Sequence, residues 1–168
     1  MEIAAWRLRC CCLTTTTALP TSTTRSAPQV ITKAGSVTAS SVFGGNEFPA
    51  NLSVDGDTTT SWFSAGGGTA SYSWATDDRT AHIDTVAVIG NADHRQYPTN
   101  FGFDQVTVSV YNGDTAVYTE TFDLAGTPDP DITAAPGVDG NRVVLAFSGG
   151  EDPNCGGFAE LVISGNLQ

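Results

Sequence analysis

Basic residues are scarce in this chain. Seven lysines and arginines stand against 18 acids in 168 residues, a formal net charge of −11. The deficit is sharper after residue 35, where Arg79, Arg95 and Arg142 face 17 acids, a net of −14. A body of that sign repels phosphate backbones and anionic headgroups, which argues against nucleic acid and against electrostatic docking on a membrane. Paired cysteines are also missing. Cys10-Cys11-Cys12 are adjacent and Cys155 stands alone, so the body has no internal disulfide and no paired spacing of a zinc site. Cys155 reads as a structural or free thiol. No stretch reaches the roughly 20 apolar residues of a membrane span. No helical stripe is sustained after residue 35, where Gly and Pro interrupt too often.

The catalytic inventory is thin. Neither His82 nor His94 sits beside the signature of a Ser or Cys nucleophile. No G-x-S-x-G, H-E-x-x-H or phosphate loop occurs. Carboxylate pairs are uninformative among so many acids. The expectation is a protein that is not an enzyme.

What is present favours strands. Apolar residues make up 40% of the chain and Gly numbers 18, a balance that suits short strands joined by turns. From Phe103 to Tyr111, Val106, Val108 and Val110 alternate with Thr107, Ser109 and Tyr111, giving one buried and one wetter face. Asn112-Gly113 predicts a type I′ turn into a second alternating run, Thr115 to Phe122. Ile83 to Ile89 reads as a central strand. Arg142 to Phe147 and Phe158 to Ile163 supply two more, with weaker signals at Ser36 to Phe43 and Tyr72 to Trp74. The spacing predicts an all-β, two-sheet antiparallel β-sandwich of about eight strands.

The composition changes near Ala34-Gly35. Residues 1–35 carry Arg7, Arg9, Arg25 and Lys33 against Glu2 alone, amid a Thr/Ser/Pro tract without periodicity. That bias resembles a transit peptide, and the apolar core is too short and interrupted for a good secretory signal. Residues 1–35 are expected to be a Thr/Ser-rich segment or linker outside the fold, and residues 36–168 the sandwich domain.

The segment Leu52 to Trp62 holds Asp55-Gly56-Asp57 and several hydroxyls in a short turn. Read alone, it fits either a plain Asp-Gly turn with exposed acids or a loop for a hard cation such as Ca²⁺, which prefers six to eight oxygen ligands. It is not an EF-hand: Gly56 falls at the second loop position, and the twelfth is Gly66 rather than Glu. Asn51 to Trp62 resembles the N-x-A-x-D-G-x-x-x-T-x-W segment of the discoidin (coagulation factor type C) superfamily. That superfamily includes the family 32 carbohydrate-binding modules and other galactose-binding-like, jelly-roll domains. Ser73-Trp74 with Ile83-Asp84-Thr85-Val86 is similar to the family's central tryptophan strand and the next one. Gly156 to Leu161 is similar to its closing G-G-x-A-E-L strand.

The resemblance implies one structural Ca²⁺ ion. Its carboxylate ligands would be Asp55 and Glu160. Backbone oxygens of Leu52, Asp57, Thr60 and Ala159 would join them, with the Thr60 hydroxyl available. Such an ion would tie the start of the body to its end and stand in for a disulfide. Trp62 and Trp74 read as core packing.

Sugar recognition needs an aromatic face and a few fixed polar groups. The densest such cluster is residues 91–101, where His94 and Arg95 resemble the His and Arg with which several family 32 modules hold galactose-type sugars, and Tyr97 can stack. Asn46 and Glu47 in a second loop, and Asn154 in a third, can complete the site. These residues read equally well as solvated loops, with Tyr97 and Phe101 anchoring the next strand and Phe48-Pro49 a packing corner. The implied function is a carbohydrate-binding module, extracellular or at the cell surface, whose partner is a glycan; the alternative is a protein-interaction module on the same sandwich. Asn51-Leu52-Ser53 also forms a glycosylation sequon, which a chance match explains better.

Overall fold

The computed structural model describes residues 26–127 and 129–168. Twelve strands run in order: β1 (Gln29–Val30), β2 (Ser36–Ala39), β3 (Trp62–Ala65), β4 (Thr69–Ala75), β5 (Ala81–Ile89), β6 (Phe103–Asn112), β7 (Thr115–Asp123), β8 (Ile132–Ala134), β9 (Val138–Gly140), β10 (Arg142–Gly150), β11 (Cys155–Phe158) and β12 (Glu160–Leu167). One sheet has the order β1-β12-β5-β8, with β9 also pairing β5, and the other the order β2-β4-β10-β6-β7. β11 and β3 form a separate two-stranded ladder. All pairs are antiparallel.

Alternation explains how the sheets meet. Val106, Val108 and Val110 of β6 are fully buried, as are Leu145 of β10 and Tyr72 and Trp74 of β4. They pack in one cluster with Ile83 and Val86 of β5 and Leu161 and Ile163 of β12, from the opposite sheet. The expected β-sandwich is what the chain forms. Trp62 and Trp74 are core residues with no exposed surface. Their indole N–H groups donate to the carbonyls of Ser41 (2.9 Å) and Thr32 (2.7 Å), so neither ring buries an unsatisfied donor.

Several boundaries differ from the sequence reading. The β6–β7 hairpin forms, but Asn112 pairs Thr115 and the loop is Gly113-Asp114. Only its first residue, Gly113, has positive φ (59°), which fits a type II′ turn rather than the expected I′. A register shift between Val110 and Tyr111 leaves Val117 of β7 without a partner in the ladder. The run Phe158 to Ile163 is two strands: it breaks at Ala159, whose N–H donates to the carbonyl of Ile89 (2.9 Å). β3 and the short β8 and β9 lie outside the expected strands.

The sandwich also begins before Ser36. Ile31 and Thr32 are buried. The Ile31 N–H donates to the Ile163 carbonyl (2.8 Å), and the Ile163 N–H to the Thr32 hydroxyl (2.8 Å). Gly35 closes this junction, since a Cβ there would lie 2.4 Å from the Trp74 indole nitrogen. Residues 29–35 thus belong to the fold; residues 1–25, and with them the transit-peptide reading, lie outside the described residues. No described helix is long and apolar enough to cross a membrane.

Candidate functional site

The Asp-Gly-Asp segment is held by its own serine. Ser53, fully buried, donates to the Phe158 carbonyl (2.8 Å) and accepts from the Trp62 N–H (3.0 Å). That clamps a short 3-10 turn, Ala50–Val54, against the junction of β11 and β12, where Glu160 begins the closing strand. The Gly56 N–H donates to Glu160 Oε1.

Oxygen atoms gather around the Thr60 hydroxyl. The Asp57 carbonyl lies 3.0 Å away, Asp55 Oδ2 3.1 Å and the Leu52 carbonyl 3.5 Å. A hydroxyl has one proton to give, so three acceptors share one donor. Asp55 Oδ1 accepts from the Asp57 N–H (2.8 Å). Burial first, and Asp55 among the neighbouring charges, push the Glu160 carboxyl above its ordinary range. The Asp57 carboxylate turns away: Oδ1 accepts from the Thr59 N–H (2.9 Å) and hydroxyl (2.6 Å), which hold its pKa low with help from Arg95. Ala159 is buried beside Glu160. Among the described residues no three His, Cys, Asp or Glu side chains gather as a metal cluster. The oxygens that converge are two carboxylates, two carbonyls and a hydroxyl, a donor set suited to a hard cation.

Next to this loop lies the 90–102 connection between β5 and β6. Thr58 donates to Asp93 (3.2 Å), and Arg95 Nε donates to the Thr59 hydroxyl (3.0 Å) with a guanidinium nitrogen 3.5 Å from Asp57 Oδ2. Arg95 is therefore engaged with the Asp-Gly-Asp loop, although its side chain remains 72% exposed. His94 is buried, and its Nδ1 accepts from the N–H groups of Gln96 (3.2 Å) and Tyr97 (3.0 Å). Burial, then Arg95, lowers its pKa. These bonds assign the neutral tautomer with its proton on Nε2.

The six expected ligand residues do not share one cavity. Glu47, His94 and Arg95 line a small hollow of about 180 Å³. Tyr97 and Asn154 line a larger one of about 340 Å³, whose other aromatic walls are Phe43, Phe48, Phe63 and Phe101. Phe48 borders both. Asn46 is exposed at φ 112° and lines neither. The rings of the larger cavity pack mostly edge to face: Phe48–Phe63 at 5.1 Å, Tyr97–Phe101 at 5.0 Å and Phe48–Tyr97 at 5.8 Å between centroids. Asp152, Asn154 and Cys155 form its polar side. Cys155 is a buried free thiol, pushed up to about 11 by burial and then by Asp152.

Sequence reasoning missed Phe63 as a lining group, whereas Asp152 lies in the third polar loop, residues 151–154, that it offered to complete a site. Phe63 was detectable, because consecutive aromatics on one strand face opposite ways: Trp62 enters the core and Phe63 the cavity. Asn91, the first residue of the polar cluster 91–101, is fully buried rather than exposed to a ligand. Asn91 accepts from Ser61 (2.7 Å) and donates to Asp129 Oδ1 (3.1 Å) and the Gly157 carbonyl (3.1 Å), fixing the root of the 90–102 connection.

No protein-family model and no curated protein matches the chain. Solved structures do. A family 32 carbohydrate-binding module of C. perfringens NanJ, in complex with galactose, superposes with a TM-score of 0.64 at 17% identity, covering 82% of this chain and 99% of that one. Chitosan-binding module 1 of a Paenibacillus sp. IK-5 chitosanase/glucanase gives 0.60 at 23%, covering 80% and 98%. An F5/8 type C domain from Bacteroides fragilis gives 0.60 at 20%, covering 80% and 93%. The chain has the β-sandwich fold of the family 32 carbohydrate-binding modules and the F5/8 type C (discoidin) domains.

Proposed function

We propose that this chain is a non-catalytic carbohydrate-binding module of an extracellular or cell-envelope protein, stapled by one structural calcium ion. The observation that carries the reading is the aromatic cavity with one polar side at the loop end of the sandwich. Its size falls in the range of small-ligand sites. Flat rings suit the apolar face of a pyranose, and Asp152 and Asn154 supply acceptors and donors for its polar groups. Neighbours described as bound to galactose and as chitosan-binding support the ligand class. The protein-docking alternative draws less support, since Val30 and Val117 are the exposed large hydrophobics among the described residues, too few for a contiguous apolar patch.

Calcium would be held by Leu52, Asp55, Asp57, Thr60, Ala159 and Glu160. The surplus of acceptors around one hydroxyl and the raised Glu160 pKa support a cation there. The ion would neutralise the Asp55–Glu160 pair and join loop to closing strand. Its role is in stability, because none of these six residues lines the aromatic cavity.

A glycan array probed with the full chain and with Tyr97→Ala tests the function. Binding to at least one glycan, reduced at least tenfold in the variant, is expected. No bound glycan, or equal binding by the variant, refutes it.

A further inference from the structure

The charge around the aromatic cavity narrows the class of sugar that the glycan reading allows. Among the residues lining it, Asp152 is the one carboxylate, and none is Lys or Arg. Arg95, the base of the adjoining hollow, is engaged with Asp57 and Thr59. Arg142 lies over the Tyr111 ring, 4.4 Å from its centroid, and Lys33 bonds the Asp55 carbonyl (3.4 Å). His94 is packed against Phe48, Phe63 and Tyr97, its Nδ1 accepts from the Gln96 and Tyr97 N–H groups, and burial lowers its pKa. The negative field reaches the cavity wall: besides burial, Asp152 is what raises the Cys155 thiol.

The Asp152 carboxylate has capacity to spare. Oδ1 accepts from the Asn154 N–H (2.7 Å), and Oδ2 has no protein partner among the described residues. A neutral sugar would offer this group hydroxyls only, and a uronic or sialic acid would be repelled. A protonated amine would meet both the carboxylate and the negative faces of the surrounding rings, which attract cations.

We propose that the cavity selects hexosamine units with a free, protonated amine, as in a deacetylated aminopolysaccharide, with Asp152 accepting from the ammonium and Phe48, Tyr97 and Phe101 packing on the ring. The selectivity rests on the carbohydrate reading of this cavity. A simple trimethylammonium cage fits less well, since one side is polar and the cavity of about 340 Å³ is large enough for a sugar ring.

The test is calorimetric titration of the full chain at pH 6 with four probes: a glucosamine tetramer, its N-acetylated counterpart, lactose and choline. Tetralysine serves as a control for unspecific attraction to the acidic body. The glucosamine tetramer should bind at least tenfold tighter than every other probe. Asp152→Asn should remove about tenfold of that affinity, whereas Asp78→Asn, in the loop between β4 and β5 at the other end of the sandwich, should leave it unchanged. Retained melting behaviour of Asp152→Asn distinguishes lost contact from lost fold, and Tyr97→Ala provides a second route to the same loss. If the N-acetylated tetramer or lactose binds equally well, the amine selectivity is wrong while the glycan site stands. If no sugar binds, both fall. Equal binding of choline or tetralysine, or equal losses in the two Asp variants, also overturns the proposal.

Discussion

At the scale of single residues, Asp129 shows how buried polar groups organise the connection between β5 and β6. Its side chain is buried, Oδ1 accepts from Asn91, Oδ2 has no hydrogen-bond partner among the described residues, and φ is 44°. Burial above all raises its pKa from the ordinary 3.8 to about 6. The protonated form is thus favoured by folding. Its stabilisation is full below about pH 4 and is lost as pH rises through 6. Asp129→Asn stays neutral throughout and tolerates the left-handed backbone. The variant should melt a few degrees above the parent at pH 7.5 and lose that advantage at pH 4; equal gaps at both values would contradict this. Arg95 illustrates the opposite regime. Because its ion pair with Asp57 is exposed, Arg95→Ala should lower unfolding stability by less than about 1 kcal/mol in urea titrations.

Residue types were legible where chemistry is local. Trp62 and Trp74 read correctly as core; the Thr60 hydroxyl lies beside oxygens of Leu52, Asp55 and Asp57, and Glu160 is held at the Gly56 N–H. His94 was visible as a polar loop residue, but its burial under Phe48 and Phe63 depends on a strand, β3, that carries no long alternation.

At the scale of elements, legibility followed pattern length. β6 and β7 were clear because nine or ten residues alternate. The split between β11 and β12 was hidden, since Gly156-Gly157 packs closely without any apolar period. β1 was hidden by its Thr/Ser-rich surroundings, although Ile31 seals the sandwich and Thr32 accepts the Trp74 indole N–H. A chain beginning at Ser36 exposes that edge and orphans a buried indole donor. It should unfold at markedly lower urea than the full chain, by roughly 3 kcal/mol or more from lost burial and an unpaired donor. An unchanged midpoint would place residues 29–35 outside the cooperative unit.

At the scale of the molecule, three features act together. The acidic body repels itself, no disulfide crosslinks the described residues, and one oxygen-rich loop faces the closing strand. The proposed calcium ion, present at about 100 times its Kd, would add roughly 2.7 kcal/mol, about 5–10 °C in melting temperature for a chain of this size. Chelation should remove that increment from the parent but not from Glu160→Ala. A melt indifferent to chelator would contradict the calcium staple. The fold was legible through resemblance and periodicity together, whereas the aromatic cavity was not. Its rings come from residues 43, 48, 63, 97 and 101, separate loops and a strand that only the closed sandwich brings into contact.

A crystal structure of the full chain, grown with calcium and soaked with its best-bound glycan, joins both halves of the account in one measurement. The account predicts a cation between Asp55 and Glu160 and a sugar ring against Phe48, Tyr97 and Phe101 with its polar edge on Asp152. An ordered sugar seated elsewhere, or water alone between Asp55 and Glu160, would contradict it.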